Sequence, residues 1–94
     1  MITSVTAKII ELQIWPQYFE EVLSGNKTFE VREKRDRDFR VGNILLLMCW
    51  DPVTKKYDGR SVTKVISYML DDPSFCLPGH VIMGIKDYEN CSNR

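Results

Sequence analysis

Four residues in one short stretch, Gly25, Lys27, Glu30 and Arg32 of GNKTFEVR, have the types and spacing to do chemistry. Lysine and arginine supply hydrogen-bond donors for a phosphate or a base carbonyl, and glutamate accepts from an exocyclic amine. The same residues also suit a purely structural ion pair. On a strand, Glu30 and Arg32 are two apart, share one face and reach each other. Trp15 and Tyr18 stand just upstream. Either could stack a base, at about 1–3 kcal/mol per base, or cover the end of a barrel. Asp38 and Arg40 flank the motif in sequence and are candidates to complete its rim. Phe39 and Trp50 read as core residues.

Other chemistries lack their residues. A single histidine, His80, leaves no His cluster for a metal, and it reads as a surface or capping residue at a strand entry. There is no glycine-rich phosphate loop. Cys49, Cys76 and Cys91 are odd in number and widely spaced, which matches neither a disulfide framework nor a zinc motif. No metal and no cofactor is therefore expected, and the cysteines suit a reducing compartment. Net charge is zero, with 13 basic and 13 acidic side chains, which argues against strong duplex-DNA binding. It leaves room for a pocket or for the local stripe between Lys27 and Arg40, where six basic residues sit among four acidic ones. That stripe also reads as a solvated face laced with ion pairs. No signal-type N-terminus precedes the first strand, and no apolar run approaches the ~20 residues of a membrane helix. The expectation is a cytoplasmic protein with no membrane partner.

The elements that must position these residues follow from periodicity. Lys8 to Ile14 alternates, with Ile10, Leu12 and Ile14 on one side, and predicts a strand. Pro16 opens a helix of about two turns, with Glu20 and Glu21 placed early, an apolar stripe of Phe19, Val22 and Leu23, and Gly25 as its stop. Lys27 to Glu33 alternates again, and the ordinary expectation puts Phe29 and Val31 in the core. The reverse orientation would turn Glu30 and Arg32 inward, where they would need each other. Either way the pair should be hydrogen-bonded. KRDRDFRVGN is a charged loop, and Ile44 to Trp50 is a fully apolar strand expected at the centre of the sheet. Asp51-Pro52 and Asp58-Gly59 mark turns, with VTKKY as a hairpin extension. Arg60 to Leu70 and His80 to Lys86 are further strands, the last closing the barrel. Met1 to Thr6 and the tail from Asp87 read as loose ends. With 94 residues the chain has room for one domain, a mixed β-rich (α+β) barrel of about five or six strands with one or two short helices, whose core runs from about residue 8 to 86.

WPQYF, SGNKTFEVR and DRDFRVGN, in this order, resemble the ASCH domains of the PUA-like superfamily, and within them a short group known as DUF3850. The resemblance runs over roughly residues 8 to 86. It implies a β-barrel with short helices packed against it. It further implies a cleft lined by a G-x-K-x-x-E-x-R motif that falls on Gly25, Lys27, Glu30 and Arg32, and a tendency to bind RNA. One enzymatic branch deacetylates acetylated cytidine with a lysine at the Lys27 position and a threonine where Glu30 stands here; ribonuclease activity occurs in others. Related short members often carry a histidine at the Ile10 position, and a glycine-aspartate where this chain has Gly42-Asn43.

Three functions compete. The leading one is a non-catalytic module that binds RNA or a nucleotide-like small ligand through Lys27, Glu30, Arg32, Trp15, Asp38 and Arg40. The second is a small hydrolase, an amidohydrolase or ribonuclease, with Lys27 and Glu30 as acid–base groups. The third is an interaction protein, phage-encoded, that sequesters a host protein or a signalling nucleotide.

Overall fold

The computed structural model describes residues 7–88; the expectations for Met1 to Thr6 and for the end of the tail lie outside them. Five strands and one helix appear in the order β1 (Ile9–Ile14), α1 (Pro16–Ser24), β2 (Phe29–Glu33), β3 (Ile44–Asp51), β4 (Lys56–Leu70) and β5 (His80–Asp87). They form one mixed sheet of order β1-β3-β4-β5-β2, curled into a half-barrel. β1 runs parallel to β3 and every other pairing is antiparallel. β4 is therefore the middle strand, with β3 beside it. β5 is interior and does not close the barrel; the two edges are β1 and β2.

Burial follows the alternation on most strands. Ile10, Leu12 and Ile14 of β1 are buried and sit in register with Leu45, Leu47 and Cys49 of β3. Val81, Met83 and Ile85 of β5, Ile66 of β4 and Phe39 from the charged loop complete the same cluster. Trp50 is only half-buried. Asp58-Gly59 is not a turn. β4 runs through it, and the register with β3 slips between Met48 and Trp50, so the dipeptide forms a bulge with Gly59 at φ 90°. Gly42, at φ 93°, and Asn43, whose Oδ1 accepts from the Arg40 backbone N–H, shape the turn before β3.

α1 opens on Pro16 and ends at Gly25, whose φ of 86° only glycine adopts freely. Phe19 and Val22 are its buried residues, while Leu23 is half-exposed and not part of the stripe. Glu20 and Glu21 fall beyond the first turn, so the helix dipole does not explain them. Glu20 serves instead as a tether. Arg60 of β4 donates to Glu20 at 2.6 Å and to Asp58 at 2.9 Å, and lies 5.0 Å over the Phe19 ring. Its second terminal nitrogen also approaches the buried Cys49 sulfur at 3.6 Å. Burial pushes the Cys49 thiol up, Asp58 adds to this, and Arg60 opposes it, which leaves a neutral core thiol.

The same cluster makes the helix attachment acid-sensitive. Hydrogen bonds from the Arg60 side chain, then from its backbone N–H, hold Asp58 down at about 2, against an ordinary 3.8. A carboxyl depressed in the folded state contributes stability that is present above pH 3.8 and is lost as pH falls through about 2. Asp87, lowered by Lys64, acts in the same direction. Urea midpoints measured from pH 5 to pH 2 should fall, and the fall should be shallower in Asp58→Asn. Parallel profiles for the two proteins would show that the Arg60 pairing does not form in solution.

Candidate functional site

The chain leaves α1 at Gly25 through a loop fixed by Glu21. The Glu21 carbonyl accepts from the Lys27 N–H at 3.0 Å, and its carboxylate accepts from Asn26 at 3.1 Å. β2 then starts along the free side of β5, and its faces are reversed from the ordinary expectation. Phe29 and Val31 are half-exposed, whereas Glu30 is 2% exposed and Arg32 is half-buried. The physical reason lies at the seam between the two edge strands. The inner face of β2 meets an opening there, and a charged side chain can turn in because its partners come with it.

Lys27 Nζ donates to Glu30 Oε2 at 2.5 Å and to the Phe29 carbonyl at 2.6 Å. Arg32 Nε donates to Glu30 Oε1 at 2.9 Å. Arg32 Nη2 crosses the seam to the Gln13 carbonyl of β1 at 2.8 Å. Arg32 therefore staples one edge of the sheet to the other and blunts two unpaired edges at once. No buried side-chain polar atom is left without a partner among the described residues. The expected Glu30–Arg32 hydrogen bond is present, in the inward-facing form.

Above this network lies an open cleft of about 340 Å³, with Trp15, Tyr18, Phe29 and Ile14 as apolar wall and Lys27, Glu30 and Arg32 as polar floor. Trp15 is the N-cap residue of α1. Only its backbone carbonyl serves the cap, by accepting from Tyr18 and Phe19, so the indole is free to face the cleft. The Trp15 and Tyr18 rings are stacked, with centroids 6.1 Å apart, and both are nearly half-exposed. Lys27 has two of its three protons engaged, and among the described residues Arg32 Nη1 has no hydrogen-bond partner, so donors remain on the cleft floor.

Other candidates lie elsewhere. Asp38 and Arg40 pair with each other at 3.0 Å on the surface and do not line the cleft. Ile10 is 6% exposed and packed in the core, so a polar residue there would not reach the cleft directly. Gln13, Phe29 and Val31 also line it, although alternation predicts Phe29 and Val31 for the core and gives no role to Gln13. Gln13 acts through a backbone carbonyl, which no residue pattern announces. No group of three or more metal-ligating side chains occurs among the described residues, and no helix there is long and apolar enough to cross a membrane.

Residues 9–85 match the family described as a domain of unknown function, DUF3850. An uncharacterized 12.9 kDa protein in the GpA 3′ region of Escherichia phage P2 is 38% identical over 65 residues, 69% of this chain. The matched stretch spans 57% of that phage protein's length.

Proposed function

The chain belongs to the DUF3850 family, and we propose that it is a binding module that takes an RNA base or nucleotide-like ligand in the cleft between α1 and β2. The observation that carries this reading is the pairing of an exposed aromatic wall, Trp15 and Tyr18, with residual donors from Lys27 and Arg32 on the floor. A flat heterocycle stacks on the wall and presents a carbonyl to the floor. We further infer that the family is a branch of the ASCH domains. The mixed curled sheet with one helix at its end and the Gly25–Arg32 motif on a cleft support that kinship.

Acid–base catalysis by Lys27 and Glu30 fits the geometry less well. Both Glu30 oxygens already accept from cations, and the side chain is 3% exposed, so it has no free edge for a substrate proton. Glu30 is better suited to holding Lys27 and Arg32 in place.

The test is a fluorescence titration with the four ribonucleosides, their monophosphates and short single-stranded RNAs. Trp15 and Trp50 are the two tryptophans, so the Trp15→Leu variant assigns the signal. Trp15→Leu and Lys27→Ala should each weaken binding by about 10- to 100-fold while leaving the folded spectrum intact. Unchanged affinity in both variants would remove the cleft as the binding site.

A further inference from the structure

A second cleft, of about 610 Å³, opens on the other side of Arg32, along the seam between β1 and β2. The two clefts share Gln13, Trp15, Val31 and Arg32, so they form one continuous trough with Arg32 across its middle. Their chemistries differ. The first is walled by aromatic rings; the second is lined by Arg35, Arg37 and His80, together with the carboxylates of Glu11, Glu33 and Asp36.

Arg37 is unlike the other arginines of this stretch. Among the described residues no carboxylate lies within ion-pair distance of it, whereas Arg32, Arg35 and Arg40 are each paired. It is nevertheless held in place. Its Nη2 donates to the Glu33 carbonyl at 3.3 Å, and the guanidinium lies 5.2 Å over the buried Phe39 ring. A guanidinium fixed by stacking and one carbonyl, with its other N–H groups unspent among the described residues, is arranged to receive an anion. The loop that presents it is fixed as well. Lys34 N–H donates to Gly79 at 2.8 Å, Arg37 N–H to Lys34 at 2.8 Å, and Arg35 sits at φ 51°, in the left-handed region that a non-glycine residue enters at a cost. His80 Nδ1 donates to the Pro78 carbonyl at 3.0 Å, because a carbonyl can only accept, and this fixes the ring.

We propose that the second cleft is a phosphate subsite for the ligand whose base occupies the first, with Arg37 as its principal donor and Arg32 Nη1 as the neighbouring one. This rests on the base-binding reading above. Charge sets the number of phosphates. Arg32, Arg35 and Arg37 are balanced by Glu11, Glu33 and Asp36 in the lining, and among the described residues Arg37 alone of the three has no ion-pair partner, so the cleft offers one guanidinium to one phosphate group and repels a polyphosphate chain. That group is supplied either by a nucleoside monophosphate or by a phosphodiester of an RNA strand.

Calorimetric titration of the wild-type chain and Arg37→Ala with ribonucleosides, their monophosphates and triphosphates, and dinucleotides at about 0.15 M salt tests this. The monophosphate should bind about tenfold more tightly than its nucleoside, the triphosphate should gain no more, and Arg37→Ala should erase the gain without altering nucleoside affinity. A dinucleotide tighter than the monophosphate identifies RNA as the phosphate source; equal affinity identifies the free nucleotide. Nucleoside binding with no phosphate gain, or a gain that survives Arg37→Ala, overturns the subsite and leaves the base cleft standing. Should no nucleoside bind, the base reading fails. Inorganic phosphate then decides the subsite on its own, through a saturable shift of the Arg37 Nε–H resonance in NMR, whose absence overturns it.

Discussion

Glu30→Ala is expected to lower the stability of the fold by about 3–5 kcal/mol, a large part of the 5–15 kcal/mol typical of a domain. The Glu30 side chain is 3% exposed, and those of Lys27 and Arg32 are 18% and 20% exposed. All three charges are thus largely withdrawn from water. Their net stabilisation as a set is modest, because desolvation offsets most of the attraction. Removing the central carboxylate is different. It leaves an ammonium and a guanidinium facing each other, each only about a fifth exposed, and it frees Arg32 from the geometry that lets it reach the Gln13 carbonyl. Lys27→Met should cost less, about 1–2 kcal/mol, because Glu30 keeps its Arg32 partner. Urea denaturation at pH 7 measures both. A cost below about 1 kcal/mol for Glu30→Ala would mean that water already screens the network.

The contrast between β1 and β2 shows which parts of the fold are legible in the residues. On β1 the apolar positions Ile10, Leu12 and Ile14 are all buried, and alternation alone predicts their face. On β2 the same rule points the wrong way, because Phe29 and Val31 are the apolar set and Glu30 is the buried one. Alternation assumes that charges seek bulk water. Here both counter-charges of Glu30 lie within three residues of it, so the segment carries its own compensation inward. The motif was visible; its direction depended on a seam between β1 and β2, strands separated in the chain by a helix. Leu23 and Glu20 illustrate the same limit on α1. Helical spacing alone puts Leu23 with Phe19 and Val22, yet the sheet covers only the latter two, and the role of Glu20 is set by Arg60, 40 residues away. The second cleft was the least legible part. Its loop reads as an ion-paired surface, and only the fold shows that Arg37 has a phenyl ring beneath it and, among the described residues, no carboxylate within ion-pair distance.

These dependencies make the single bulky contact beneath α1 decisive for site and fold alike. Phe19→Ala is expected to cost about 3–5 kcal/mol. Phe19 is 1% exposed, and with Val22 it is all that the helix buries, so a cavity there cannot be filled by a neighbouring side chain of α1. The Arg60 guanidinium, which lies over the ring, loses its platform and then depends on the exposed Glu20 and Asp58 and on its weak contact to the Cys49 sulfur. α1 also carries Tyr18 and, at its N-cap, Trp15, so loosening the helix moves the aromatic wall of the cleft. Two measurements should therefore change together. The urea midpoint falls, and iodide quenching of Trp15, isolated by comparison with Trp15→Leu, rises in conditions where the sheet is still folded. Leu23→Ala is the matched control: Leu23 is half-exposed on the same helix, and its removal should stay within about 0.5 kcal/mol and leave quenching unchanged. If Phe19→Ala lowers stability but quenching of Trp15 does not change until the whole protein unfolds, then β1 holds the cleft wall and α1 does not.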